Sequence, residues 1–338
     1  MTRTPSLPGR GILTPVESAL SALLDGMSPV APCVVPLDQA TGRVAAAMPP
    51  VPALPVTDIA AIDGWACRAL ELVGASPYSP LTLRTAPIRV DAGDPMPAGT
   101  DCLLSPDLVA CTTPLALAIG EAAPGQGVRR KGEDMAAGRP PILEGQTIRA
   151  ADLLVARRAG LDGLAVRSPR VRVIDVAAAK HEAISIHLVC ESVTAANAVV
   201  VAVETTARDA ASIAAALDGE VCDLLVLVGG TGDGSADATA DALMRRGALI
   251  AHRLAVRPGT TTAIGRLDGI PIIALPGLPD HAFAGVLTLV RPVLDCLAAR
   301  PERPAASLPL SRKIASTVGL CEIVLLSQER DGWMPLAV

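Results

Sequence analysis

The stretch Asp223 to Ala242, DLLVLVGGTGDGSADATADA, sets the tightest limit on what this chain can fold into. Asp223 to Val228 is a short run of Leu and Val between a charge and a pair of glycines, which suits a buried parallel strand. Gly229, Gly230, Gly232 and Gly234 then predict a sharp turn whose backbone N–H groups can approach a ligand, because a residue without Cβ leaves room. A helix expected from about Ala236 points its N-terminus into the same space, which makes an anion site. A tight connection inside an α/β domain is the plainer reading of the same residues.

With 338 residues the chain is long enough for more than one core. Half of it is hydrophobic, yet it carries only two Trp, one Tyr and one Phe, so Ala, Val, Leu and Ile must fill the interior. So few aromatics argue against base stacking, and a net charge of -5 argues against a nucleic-acid binder. The eight cysteines include no Cys-x-x-Cys pair and mostly lie in apolar runs, as expected for buried thiols of a reducing compartment. The N-terminal MTRTPSLPGRG lacks the apolar core of a signal peptide, and no run reaches the roughly 18 residues that span a bilayer. A cytoplasmic protein with no membrane partner is expected.

Thr14-Pro15-Val16-Glu17 reads as a capping box opening a helix that Gly26 stops. A second helical piece is expected over Leu37 to Ala46. The prolines of MPPVPALP mark a crossing between domains, and Asp63-Gly64 beyond them reads as a turn. LTLRT, PIRV, DCLL and LALAI predict a small β-rich domain. GVRRKGEDMAAG is a glycine-flanked charged loop, and a helix follows over about Ala150 to Ala159 with Ala150, Leu153 and Leu154 on one face. From residue 171 to 298 strands and helices alternate, which predicts a mostly parallel sheet covered on both faces. VGGTGDGSAD and LPGLPD both leave strand ends and should converge on one crevice. The tail after Pro301 carries short possible strands.

Eight stretches in order resemble the MoeA family of molybdopterin molybdenumtransferases: PLDQATGRVAA, AAIDGWACRA, AGDPMPAGTD, VRRKGEDMAAG, GQTIRAADLLVARRAGL, VGGTGDGSAD, LAVRPG and LPGLPD. The resemblance implies an α/β multidomain fold. Its parts would be an N-terminal and linker domain over 1–47 and 136–170, a β-rich insert over 48–135, a parallel-sheet molybdopterin-binding domain over 171–300 and a truncated C-terminal β domain over 301–338. It implies a homodimer whose active site lies between the central domain of one subunit and the insert of the other. The reaction implied takes adenylylated molybdopterin and molybdate, releases AMP and leaves molybdenum on the dithiolene.

By the same resemblance Asp63, Asp134 and Asp237 are the catalytic carboxylates. Gly229, Gly230, Gly234, Arg257, Pro258, Gly259, Pro276 and Gly277 would bind the substrate, and Asp237 with Glu182 would hold Mg²⁺. The chain departs from the family where Thr-Gly-Asp-Glu is usual: it reads Ala178-Ala179-Lys180-His181, then Glu182. Ala92, Val228 and Leu278 likewise stand where polar residues are usual. Two functions therefore stand side by side. One is a molybdenum insertase; the other is a catalytically silent paralogue that binds molybdopterin or delivers the finished cofactor to an apoenzyme, with an active homologue as a further candidate partner. A sugar-phosphate or nucleotide enzyme on the same α/β unit is a coarser third.

Overall fold

The computed structural model describes residues 13–112, 115–177, 183–302, 307–330 and 332–336. Within it the chain divides into two compact units: the described parts of Met1–Ala47, Leu143–Arg149 and Gly163–Val338, and those of Met48–Ile142 and Ala150–Asp162.

The first unit is organised on a six-stranded sheet. In chain order it contains α1 (Val16–Leu24), β1 (Arg170–Val176), α2 (Ile184–Ala195), β2 (Val199–Thr206), α3 (Ala210–Ala216), β3 (Leu224–Val228), α4 (Thr239–Arg245), β4 (Leu249–His252), β5 (Ala263–Leu267) and β6 (Ile270–Leu275). Three joined helical pieces follow, Pro279–Gly285, the π turn Val286–Val290 and Arg291–Leu297. The strand order is β2-β1-β3-β6-β5-β4; the first four strands run parallel, and β5 and β4 add an antiparallel edge. Alternation along the central strands explains the two covered faces. Val171 and Val173, Val226 and Ile273 pack with α1, α2 and the last helix. Ile174 and Val176, Leu227 and Ile272 pack with α3 and α4 on the other side.

Arg172 ties one end of this sheet together. Its fully buried guanidinium donates to Glu204 at 2.6 and 2.8 Å and to the carbonyls of Ala216, Leu217 and Asp218. These last carbonyls of α3 have no partner within the helix, so the arginine caps them. The hydrogen bond from Arg172 in turn holds the Glu204 carboxyl below its usual range.

Local signals failed where a distant partner competed. Thr14 does not cap α1: its N–H donates to Arg253 and its carbonyl accepts from Ala255, so the cap position falls to Pro15 without a side-chain bond. The helix expected over Leu37 to Ala46 is a single 3-10 turn, Leu37–Gln39, followed by the strand Val44–Ala45. That strand pairs with Val166 and Arg167 in a small three-stranded sheet completed by Cys33–Pro36. The long helix α2 had no counterpart in the sequence reading.

The second unit holds the β-rich segment. Gly64–Cys67 lies between Ile88–Val90 and Cys102–Leu104, and Leu81–Thr82, Leu115–Ala118 and Val109–Thr112 form another three-stranded sheet. Gly64 opens a strand rather than supplying a positive-φ turn; a Cβ there would collide with the Leu104 carbonyl. The helix Ala150–Arg158 also belongs to this unit, with Leu153 and Ala156 buried while Ala150 and Leu154 face outward. The cysteines split: Cys67, Cys102 and Cys222 are buried, whereas Cys33 and Cys321 are exposed. Among the described residues, no helix is long and apolar enough to cross a membrane.

Candidate functional site

The four parallel strands finish level with one another. Val176 lies opposite Thr206, Asp175 opposite Val228, and Val228 opposite Leu275. The connections that leave these ends line a cleft of about 390 Å³. Val176 comes from β1, Arg208 from beyond β2, Gly229 to Gly232 and Asp237 from beyond β3, and Pro276 to Leu278 with His281 from beyond β6. Binding at the carboxyl ends of strands is the general rule for open α/β sheets.

The glycine turn is built as a backbone necessity. Gly229 has φ +102°, and a Cβ on it would come within 2.8 Å of the Val176 carbonyl oxygen. At Gly230, φ +66°, a Cβ would meet the Thr239 hydroxyl at 2.6 Å. The Gly229 N–H donates to Leu275 at 2.8 Å and so belongs to the sheet rather than to a ligand. Among the described residues no acceptor takes the Gly230 N–H. The helix after the turn starts later than expected, at Thr239, whose buried hydroxyl donates to the Gly229 carbonyl at 2.9 Å. His252 completes the support with a 3.0 Å hydrogen bond between Nε2 and the Thr231 carbonyl.

Asp237 sits at the turn's far end. One carboxylate oxygen accepts from the Gly234 N–H at 3.1 Å, and the other accepts from Arg208. Arg208 precedes Asp209, which caps α3 by accepting from the N–H groups of Ala211 and Ser212. The Ser212 bonds hold the Asp209 carboxyl below its usual range. On the opposite wall the buried Ser185 hydroxyl donates 2.7 Å to the Gly277 carbonyl. Arg208, Ser185 and His281 were not among the expected site residues.

The other expected residues lie elsewhere. Arg257 is 61% exposed, stands 3.6 Å from Glu322 and, like Pro258 and Gly259, is not part of the cleft lining. Gly259 packs against the start of the last helix, where a Cβ would meet the His281 carbonyl at 3.0 Å. In the second unit Asp63 is exposed and accepts from the Ala92 N–H at 2.8 Å. Asp134 there stands 3.5 Å from Arg129 and 4.0 Å from Arg158. Glu182 and the Ala178 to His181 segment lie outside the described residues.

Comparison with known proteins accounts for this arrangement. Residues 14–160 match the MoeA N-terminal region (domain I and II), and residues 175–295 match a domain described as "Probable molybdopterin binding domain". The chain is 31% identical over 330 residues to a Mycobacterium tuberculosis protein named molybdopterin molybdenumtransferase 2, covering 85% of this chain and 81% of that one. This chain belongs to the MoeA family. Another MoeA-family relative, the molybdopterin molybdenumtransferase of Synechococcus elongatus, is 28% identical over 307 residues, with coverage of 79% and 75%. The MoeA fold is seen also in a crystal structure of a molybdopterin biosynthesis MoeA protein from Pyrococcus horikoshii. It matches with a TM-score of 0.78 at 23% identity, over 97% of this chain and 90% of that one.

The Mg²⁺ that MoeA membership implies can be tested against the donors present. A hard divalent cation needs several oxygen ligands. Among the described residues no group of three or more His, Cys, Asp or Glu converges to hold one. Asp237, the carboxylate of the cleft, is occupied by a guanidinium. The described donor set does not fit the ion.

Proposed function

We propose that this chain acts in molybdenum cofactor biosynthesis as a molybdopterin molybdenumtransferase. Its substrates on this reading are adenylylated molybdopterin and molybdate, and its products are AMP and the molybdenum-bearing dithiolene. The observation that carries the reading is the 31% identity that spans 81% of the M. tuberculosis enzyme. The cleft supports it: about 390 Å³ is in the range of small-molecule sites, and its glycine turn lets a phosphate approach the backbone closely.

On this reading the chain's own residues bind and orient. The Gly230 N–H and the Pro276–Gly277 turn contact the ligand's anionic part, while Arg257, Pro258 and Gly259, which lie outside the cleft lining, would contact substrate beyond it. Asp63 and Asp134 are the carboxylates of the β-rich segment. Asp63 accepts from the Ala92 N–H through one oxygen, and on this reading its other oxygen would take the proton of an attacking water. Arg129 and Arg158 hold Asp134 in place. The protein works as a cytoplasmic homodimer of four-domain subunits, the domains covering 1–47 with 136–170, 48–135, 171–300 and 301–338.

Complementation of a strain lacking its insertase tests the proposal, with a molybdoenzyme's activity at ordinary molybdate as the readout. Rescue by the wild-type chain that disappears with Asp63→Ala is the expected result. Failure to rescue by well-expressed protein that also binds no molybdopterin would overturn the proposal.

A further inference from the structure

We propose that Arg208 is the anion-binding residue of the strand-end cleft, supplying from a side chain the positive charge that a divalent cation would otherwise bring. This rests on the molybdopterin reading of the same cleft and deepens it by assigning how a tetrahedral oxyanion is held there. The oxyanion is either the phosphate of the adenylylated pterin or molybdate itself.

Three observations carry the assignment. Arg208 lines the cleft together with the glycine turn and remains 31% exposed, while its partner Asp237 is 14% exposed. Asp237 accepts from Arg208 through one oxygen and from the Gly234 N–H through the other, so the carboxylate anchors the arginine rather than facing a ligand alone. The Arg208 Nε–H is buried with no hydrogen-bond partner among the described residues. A buried guanidinium N–H without an acceptor is unfavourable, and a shift of the side chain toward an oxyanion in the cleft would supply the missing acceptor.

Charge arithmetic favours an anion over a cation at this point. A metal ion placed on Asp237 would stand against the guanidinium already bound to it, and like charges this close repel strongly in a partly desolvated cleft. An oxyanion instead meets the planar fork of an arginine whose orientation Asp237 has fixed. Gly230 lines the same cleft, and its N–H, without an acceptor among the described residues, adds a second donor. Asp237 is thus a positioning residue, acting through Arg208.

The test is calorimetric titration of the purified full chain with AMP and, separately, with sodium molybdate, each in EDTA and in excess Mg²⁺. At least one probe is expected to bind equally in both media, and the probe that binds identifies the oxyanion as phosphate or molybdate. Arg208→Gln should weaken that binding about 10- to 100-fold. Arg246→Gln, which removes the same charge outside the cleft, should not. Asp237→Asn leaves one acceptor oxygen for two donors, so it should weaken binding less than Arg208→Gln does and leave it independent of Mg²⁺. Arg208→Lys keeps the charge without the fork and should lose an intermediate amount, which covers the case in which Arg208→Gln fails to fold. Binding that requires Mg²⁺, binding that collapses in Asp237→Asn, unaltered binding in Arg208→Gln, or no binding of either probe would each overturn the assignment. Mg²⁺-independent binding in a protein that cannot complement would instead refute the biosynthetic role and leave the anion site standing.

Discussion

The hydroxyl of Ser185, buried in the first turn of α2, donates a 2.7 Å hydrogen bond to the carbonyl of Gly277 in the loop that leaves β6. A helix on one face of the sheet thereby holds the lip of the cleft. Ser185→Ala should cost about 1 kcal/mol of stability, the net worth of a typical internal hydrogen bond. It should also weaken ligand binding several-fold, because the Pro276–Leu278 turn loses its tether. Urea unfolding and molybdopterin titration of the same preparation check both effects.

Two glycines of the cleft should respond oppositely to a methyl group. Gly229→Ala places a Cβ within 2.8 Å of backbone at φ +102° and should destabilise the fold by about 1–3 kcal/mol. At Gly277 the nearest atom to a new Cβ is 3.7 Å away, an ordinary contact, so Gly277→Ala should melt like wild type. If Gly277→Ala nonetheless loses the ligand, close approach of substrate to that backbone is the cause. Thermal unfolding paired with ligand titration separates the two roles.

Arg172 is the other arginine on which the sheet depends, and for stability alone. Arg172→Met would leave the carbonyls of Ala216, Leu217 and Asp218 without a donor, at a cost of about 2–4 kcal/mol. Glu204→Gln keeps an acceptor and should cost less. Equilibrium unfolding of both variants gives the order directly.

Cys67 and Cys102 face each other across neighbouring strands of the β-rich unit. Burial, with Glu71 adding, pushes the Cys67 thiol from 9.0 up to about 11. Burial, with Asp101 adding, pushes Cys102 up to about 12. The folded pKa is raised in both, so their contribution to stability is complete below pH 9 and is lost as pH rises through 11 to 12. Thermal unfolding should therefore weaken above pH 9, and less so in a Cys67→Ala, Cys102→Ala double variant. At pH 8 iodoacetamide should label the exposed Cys33 and Cys321 while sparing this pair.

The sequence made the central sheet readable where burial leaves no choice. A continuous Leu and Val run such as Leu224–Val228 cannot be exposed, and the glycines after it mark the turn into the cleft. What the sequence hid was competition between local and distant partners. Thr14 looks like a helix cap until Arg253 and Ala255 claim its backbone. Ile184–Ala195 is rich in β-branched residues, so its helical spacing of Ile186, Val189 and Val193 was overlooked. Arg208 carries no motif of its own, and its place after a parallel strand end is the one signal the sequence offers for it. Arg257, conversely, drew notice as a cation near a glycine, while its pairing with Glu322 depends on a strand contact between Val256–Arg257 and Cys321–Glu322.

The most direct measurement is single-turnover conversion by the purified chain of adenylylated molybdopterin in the presence of molybdate, followed as AMP release and as molybdenum retained on the pterin. The account predicts AMP released in step with molybdenum incorporation, and both lost together with Asp63→Ala. Intact adenylylated molybdopterin after prolonged incubation with folded, ligand-binding protein would contradict it.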